Sequence, residues 1–184
     1  MSKLYKLEKL KKENFEQVWS IMESSFPIDE RRTRENQEMI LDNPHYFLYG
    51  CRKDAEIMAF FAVWKLESLA FVEHFAVDER FRNGGIGAGL LQELLQVLDV
   101  PVVLEVEFPK TELQQRRIRF YERNGFVLNP YDDYVQPALS DAGKALPLMI
   151  MTYPKDVSRE QYEQIRDTLY REVYPVNGKC AGIE

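Results

Sequence analysis

A glycine-rich segment, Val77-Asp-Glu-Arg-Phe-Arg-Asn-Gly-Gly-Ile-Gly-Ala-Gly-Leu-Leu91, connects a predicted strand to a predicted helix. Its glycines Gly84, Gly85 and Gly87 let the backbone turn with positive φ, so that successive amides can converge on one small volume. The following helix adds about half a positive charge at its N-terminus, and Arg82 adds a fork of donors. The segment therefore predicts a site for a phosphate or pyrophosphate group.

Two common phosphate-binding motifs do not fit this loop. A P-loop ends in Gly-Lys-Ser/Thr, whereas Gly87 is followed by Ala88-Gly89 and no lysine lies nearby. The Rossmann fingerprint belongs to a βαβ unit, but the three strands predicted before this loop form antiparallel hairpins. An NTPase and a dinucleotide enzyme are disfavoured. On the glycines alone, a turn that binds nothing stays an open alternative.

The rest of the chain alternates strand and helix patterns. Aromatic and β-branched runs predict strands at 45–51, 56–64, 69–77, 101–108, 126–128 and 146–153. Apolar residues at helical spacing, proline boundaries and capping signals predict helices at 15–26, 29–42, 86–98, 111–124 and 158–173. The segment from 129 to 144 is polar, contains two prolines, and is predicted to be a loop.

Composition limits the classes of function. With 184 residues, 45% of them hydrophobic, the chain predicts a globular core, and its formal charge of −6 disfavours nucleic acid as a partner. The longest apolar run, 57–64, is shorter than the roughly 20 residues that cross a bilayer, so no membrane partner is expected. The charged N-terminus does not resemble a secretory signal, which predicts a cytoplasmic protein. Cys51 and Cys180 lack neighbouring ligands, and no metal site is predicted.

The glycine loop resembles motif A of the GCN5-related N-acetyltransferases, the GNAT superfamily, whose pattern Arg/Gln-x-x-Gly-x-Gly/Ala is met by Arg82, Gly85 and Gly87. Upstream, Val72-Glu-His-Phe-Ala-Val77 resembles the family's fourth strand. Downstream, Arg119-Phe-Tyr-Glu-Arg-Asn-Gly-Phe126 resembles its motif B. The resemblance implies an α/β (α+β) GNAT fold: a mixed, mostly antiparallel sheet of about seven strands, splayed into a V between strands 4 and 5, with four main helices plus a C-terminal helix.

The resemblance also implies acetyl-CoA as co-substrate. Residues 1–157 would form the acetyltransferase domain, and 158–184 would add an amphipathic helix and a frayed tail. The pantetheine arm would pair with the backbone of the fourth strand, and Arg117, which replaces an alanine of the family pattern, would meet a CoA phosphate. The implied cofactor-binding residues are Phe75, Ala76, Val77, Arg82, Asn83, Gly84, Gly85, Ile86, Gly87, Ala88 and Arg117.

Acetyl transfer to an amine requires a neutral nucleophile and a proton for the departing thiolate. A free alkylammonium has a pKa of about 10.4, so its deprotonation at neutral pH accounts for roughly 4 kcal/mol of the barrier. The resemblance implies that Tyr121, in motif B, protonates the sulfur. The helix pattern alone indicates instead a core tyrosine beside Phe120, and that alternative stays open.

The candidate general bases that could deprotonate the amine are carboxylates on the predicted strands. Strand alternation places Glu73 on one face with Phe75, where a carboxylate is exposed, paired or shifted in pKa. Polyamine acetyltransferases carry a carboxylate at this position, so Glu73 is predicted as the base, with a solvated or arginine-paired glutamate as the alternative. Glu105 or Glu107 of the fifth strand could replace it. The same alternation turns His74 away from Glu73, as a satisfied strand histidine.

The sequence therefore predicts an enzyme that moves an acetyl group from acetyl-CoA to a primary amine by direct attack. The acceptor would be a small molecule or peptide, contacted by Phe26–Arg32 and by the loop 129–144. Two other classes stay open. One is a non-catalytic acyl-CoA sensor, and the other is an assembly module that presents the last helix to a partner. A homodimer is compatible with either class.

Overall fold

The computed structural model describes residues 5–177, which form five α-helices and eight strands. In chain order these are β1 (Glu8–Lys9), α1 (Phe15–Ser25), α2 (Arg34–Met39), β2 (Tyr46–Lys53), β3 (Glu56–Lys65), β4 (Ala70–Val77), α3 (Ile86–Leu98), β5 (Val102–Val106), α4 (Glu112–Arg123), β6 (Val127–Leu128), β7 (Tyr134–Gln136), β8 (Leu146–Tyr153) and α5 (Arg159–Glu172). A 3-10 turn, Tyr174–Asn177, follows α5. Cys180 and the predicted frayed tail beyond residue 177 lie outside the described residues.

The sheet is mixed and mostly antiparallel, as predicted. Its strand order is β1-β2-β3-β4-β5-β8-β6, β7 pairs with β8, and only β4 and β5 run parallel. Two short strands, β1 and β7, lie outside the predicted strand ranges, and β7 lies inside the segment predicted to be a loop. At three residues, β7 is too short to show a period of two in the sequence.

The predicted second helix, 29–42, is broken into pieces. Only Arg34–Met39 is α-helical, and single 3-10 turns flank it at Ile28–Glu30 and Ile40–Asp42. Thr33 caps the helix by accepting a hydrogen bond from the amide of Asn36. The chain before that cap is extended, and it carries Arg32 into the interior.

Strands β4 and β5 diverge after a short common stretch. They pair only from Ala70 with Val102 to Val72 with Leu104. Beyond that point β4 stays paired with β3 alone and β5 with β8 alone. The carboxyl ends of both strands therefore face an open V, which confirms the predicted splay.

A β-bulge lies in β4 at the point where the V opens. Ala62 of β3 pairs with His74 and Val63 pairs with Val72, which leaves Glu73 without an opposite residue. An extra residue in one strand reverses the alternation of side chains beyond it. Residues after the bulge therefore point to the faces opposite to those expected for a regular strand.

The bulge overturns the predicted faces of β4. Glu73 and His74 lie on the same side of the sheet, with a separation of 3.7 Å between Glu73 Oε2 and His74 Nδ1. Phe75 and Val77 pack on the opposite side. The predictions that Glu73 shares a face with Phe75, and that His74 points away from Glu73, are both wrong.

Two hydrophobic cores cover the two faces of the sheet. One lies under α3 and α4 and includes Leu91 and Ile118. The other lies under α1 and α5 and includes Tyr162, Leu169 and Val173, each 0% exposed. The apolar face of α5, predicted to meet a partner in the assembly-module alternative, is thus covered by the chain itself. No described helix has the length and apolar character that crossing a bilayer requires.

Candidate active site

The glycine loop forms an anion-binding nest at the start of α3. Asn83 and Gly85 both have a φ of 70°, the left-handed region that favours glycine. Among the described residues, the amides of Gly85, Ile86 and Gly87 donate to no acceptor. A cavity of about 410 Å³ lies against this loop and is lined by every predicted residue from Arg82 to Ala88. Free amides at a helix N-terminus fit a pyrophosphate.

Arginines line the groove that leads away from the nest along α4. Arg82 is anchored by a hydrogen bond of 2.9 Å from its Nε to the Val77 carbonyl, and Arg117 by one of 2.8 Å to Glu107. Sequence reasoning missed three further arginines of α4 that line the groove: Arg116, Arg119 and Arg123. The run of arginines from 116 to 123 was the available signal for a polyanion site.

A cleft of about 430 Å³ occupies the V between β4 and β5. Residues 72–77 and 104–107 form its two walls, so the predicted Phe75, Ala76 and Val77 all line it. The structure brings these three residues, Arg82, Arg117 and Tyr121 together around one space. The nest opens beside the same cleft, since Val77 and Arg82 line both cavities.

Tyr121 reaches the cleft from α4. Its ring packs edge-on against Phe120 and Phe126, with centroids 5.2 and 5.7 Å away. Tyr121 lines the cleft, and its hydroxyl has no hydrogen-bond partner among the described residues and is not sealed from solvent. Burial raises the pKa of Tyr121 to about 12. The phenol thus keeps its proton at neutral pH and can donate it within the cleft.

Glu73 lies in a buried ion pair on the other side of the sheet. Arg32 Nη1 donates to Glu73 Oε1 at 2.6 Å and Trp64 Nε1 to Oε2 at 3.2 Å, while the two charged side chains are 1% and 3% exposed. This is the arginine-paired alternative left open by the sequence. Whether Glu73 is the base stays a prediction.

His74 lies beside this ion pair, and one of its two ring nitrogens lacks a hydrogen-bond partner among the described residues. Its Nε2 is 2.7 Å from the Glu30 carbonyl, whereas its Nδ1 is sealed from solvent and has no hydrogen-bond partner among the described residues. Burial lowers the pKa of His74, so the ring is neutral and Nε2 donates to the carbonyl.

Glu105 points to the same side of the sheet from β5. The hydroxyls of Tyr134 and Tyr174 both donate to its Oε1. Burial, opposed by these two hydrogen bonds, raises the pKa of Glu105 to about 7. No pattern in the sequence pointed to these tyrosines as partners of Glu105, because they lie far from it along the chain.

The nest, the V-shaped cleft and the phenol that faces it agree with a match to a known family. A model of the acetyltransferase (GNAT) family matches residues 7–126, about two thirds of the chain. The chain belongs to the GNAT acetyltransferase family. Structures of this fold have been solved with coenzyme A or acetyl-CoA, which agrees with the acetyl-CoA co-substrate that the sequence predicted.

Solved GNAT structures share this architecture. A GNAT-family protein from Bacteroides thetaiotaomicron is 31% identical, with a TM-score of 0.83, and the match covers 92% of this chain and 98% of that one. The ribosomal-protein-S18-alanine N-acetyltransferase of Escherichia coli has a TM-score of 0.62 at 19% identity, covering 85% and 97% of the two chains. The PaiA N-acetyltransferase of Thermoplasma acidophilum, solved with coenzyme A, has a TM-score of 0.60 at 16% identity, and the match covers 82% of this chain and 98% of that one. No curated protein matches this chain by sequence.

Filling the nest is expected to weaken cofactor binding. A Cβ at Gly87 would lie 3.3 Å from the Phe75 ring and 3.7 Å from Val77, so the side chain in Gly87→Leu has to displace these neighbours beside the loop cavity that Gly87 and Val77 line. Because a hydrogen bond to a charged group contributes about 1.5–3 kcal/mol, we expect calorimetry to show at least about tenfold weaker coenzyme A binding. Gly89→Leu, whose Cβ meets nothing within 4 Å, is the matched control. Equal coenzyme A affinity of the two variants would contradict binding of the cofactor at the nest.

Proposed function

We propose that this GNAT protein transfers the acetyl group of acetyl-CoA to a primary amine by direct attack, without a covalent enzyme intermediate. One observation carries the proposal: a protonated phenol without a protein partner, Tyr121, and an acidic wall that includes Glu105 line the same V-shaped cleft beside an anion nest. The cleft joins the two faces of the sheet, so that donor and acceptor can meet in it from opposite sides.

The cofactor would lie along the face that carries α3 and α4. The amides of Arg82 to Ala88 would bind its pyrophosphate, and the arginines of the α4 groove, Arg117 among them, would face its remaining phosphate. The free backbone edge of Phe75, Ala76 and Val77 would pair with its pantetheine amides, since the divergence of β4 and β5 leaves that edge without a strand.

The chemistry requires two proton movements. The neutral amine attacks the thioester carbonyl carbon, a C–N bond forms, and the C–S bond breaks with its electron pair on sulfur. Tyr121 would donate its proton to that sulfur and recover one from the nitrogen, which loses a proton as the amide forms. A carboxylate of the cleft would receive the proton of the acceptor ammonium; the sequence predicts Glu73 for this role, with Glu105 or Glu107 as its replacement.

The acceptor side of the cleft is acidic. Glu30 of the first 3-10 turn after α1 and Glu107 of the segment after β5 both line it. Burial and the Glu107 charge raise the pKa of Glu30, and Arg117, which pairs with Glu107, opposes this in part. A cationic amine would relieve that repulsion between carboxylates. A small-molecule or peptide amine is therefore the acceptor class that this wall favours.

Calorimetry and a thiol-release assay test the function together. We expect the protein to bind coenzyme A and acetyl-CoA, and to release free thiol from acetyl-CoA when given at least one of butylamine, spermidine, an aminoglycoside or a peptide with a free N-terminus. Well-folded protein that binds neither form at millimolar concentration would overturn the proposal. Binding without thiol release for any amine would favour the acyl-CoA sensor instead.

A further inference from the structure

The carboxylate of Glu105 is held by elements outside the segment that matches the family. Tyr134 belongs to β7, and Tyr174 belongs to the turn after α5, whereas the family match ends at residue 126. Both hydroxyls meet the same oxygen, Oε1. Oε2 accepts no hydrogen bond among the described residues and is not sealed from solvent. One oxygen is thus fixed in place while the other stays free toward the cleft.

The charges around Glu105 leave it without a cation of its own. The groups that face it are the hydroxyls of Tyr134 and Tyr174, the Glu73 carboxylate, which raises its pKa, and the Arg32 guanidinium, which lowers it. Arg32 is already bound to Glu73 and also donates to the Val173 carbonyl at 3.4 Å. Glu105 therefore has a pKa near neutrality, where a group can both accept and release a proton.

The neighbouring candidates are less suited to take a proton. Protonation of Glu73 would leave the buried Arg32 guanidinium without its counterion, which is costly at 1% exposure. The free Nδ1 of His74 has no access to solvent, so it cannot reach an acceptor in the cleft without rearrangement. Glu105 and Glu30 both line the cleft without an ion pair among the described residues, but of the two only Glu105 is held in place, by the hydroxyls of two tyrosines.

We propose that Glu105 is the general base of the transfer, and that Tyr134 and Tyr174 are positioning residues that hold its carboxylate. The assignment rests on the proposed function. Glu105 takes one proton from the acceptor ammonium, which leaves a neutral amine and a protonated carboxyl, and it returns that proton to solvent after the product has left. The C-terminal helix and its turn are then part of the active site rather than an appendage to the domain.

Comparing two amines of different basicity as acceptors tests whether Glu105 acts as a general base or has only a structural role. Butylamine is protonated at neutral pH and needs a base, whereas methoxyamine is already neutral. For Glu105→Gln at pH 7 we expect kcat/KM with butylamine to fall about 100-fold, and with methoxyamine only a few-fold. Glu67→Gln, an exposed change of the same kind, controls for the loss of charge. Acetyl-CoA affinity measured by calorimetry confirms that each variant is folded.

The pH dependence of butylamine acetylation tests whether the tyrosines position the Glu105 carboxylate. Since the tyrosine hydrogen bonds lower the pKa of Glu105, Tyr174→Phe is expected to move the acidic limb of the butylamine profile upward by about one pH unit. Tyr170→Phe removes a hydroxyl from α5, just before the turn that carries Tyr174; this hydroxyl donates to the Val135 carbonyl, and its loss is expected to leave the limb in place.

These experiments can contradict the role of Glu105 without contradicting the proposed acetyl transfer. Equal losses with both amines for Glu105→Gln, or no loss with butylamine, would overturn the role of Glu105 while transfer by the wild-type protein stands. An unmoved acidic limb in Tyr174→Phe would overturn the positioning role. Wild-type protein that acetylates neither these two amines nor the other acceptors of the thiol-release assay would overturn the proposed function, and this assignment with it.

Discussion

Replacing Arg32 by methionine is expected to lower the free energy of unfolding by about 3–5 kcal/mol, because it leaves a buried carboxylate without its counterion. The Arg32 and Glu73 side chains are 1% and 3% exposed and are joined at 2.6 Å. Few other single substitutions in this fold would leave a buried charge so completely without a counterion. Urea denaturation followed by circular dichroism measures the effect, with the midpoint and slope compared between variants.

Two further variants isolate the ion pair as the cause. Arg34→Met removes an arginine two positions later whose pair with Glu16 is exposed, so its cost should stay within about 1 kcal/mol. The double variant Arg32→Met/Glu73→Leu removes both charges and should recover much of the lost stability. If the double variant were as unstable as Arg32→Met, packing around the guanidinium, and not the stranded charge, would account for the loss.

Tyr121→Phe is expected to lower kcat about 100-fold with the best amine found, and to leave acetyl-CoA affinity unchanged. Tyr121 lines the cleft and its hydroxyl has no partner among the described residues, whereas the ring is held by Phe120 and Phe126. Removing the oxygen alone therefore takes away the proton donor but keeps the packing. Steady-state thiol release gives kcat, and calorimetry gives the affinity.

Tyr153→Phe is the matched control for this variant. Tyr153 packs against Phe126 from the other end of the same aromatic cluster, with centroids 5.4 Å apart, and does not line the cleft. We expect its kcat to equal that of the wild type. An unchanged kcat in Tyr121→Phe would contradict the role as acid, and a loss of acetyl-CoA affinity there would assign the tyrosine to packing.

Local sequence signals predicted the part of the site that is proposed to bind the cofactor. The capping boxes at Thr111 with Gln114 and at Ser158 with Gln161 are present, and the glycine loop forms the nest ahead of α3. These features depend on residues close together in the chain, whose conformations follow from steric rules and from neighbouring hydrogen bonds. Motif spacing then placed Tyr121 and the β4 backbone near the same cleft.

The acceptor half could not be predicted in the same way. A single extra residue at Glu73 reversed the faces of β4, and no local pattern in the sequence marks a bulge. The partners of the buried carboxylates come from distant segments: Arg32 lies 41 positions from Glu73, and Tyr174 lies 69 from Glu105. Such contacts form only when helices and strands pack, because burial removes water and makes each charge depend on whichever side chain the fold brings beside it. The local sequence pattern by itself thus determined the glycine loop and the helix caps, whereas only the tertiary packing decided which carboxylate is paired, as Glu73 is with Arg32, and which has no ion pair among the described residues, as for Glu105.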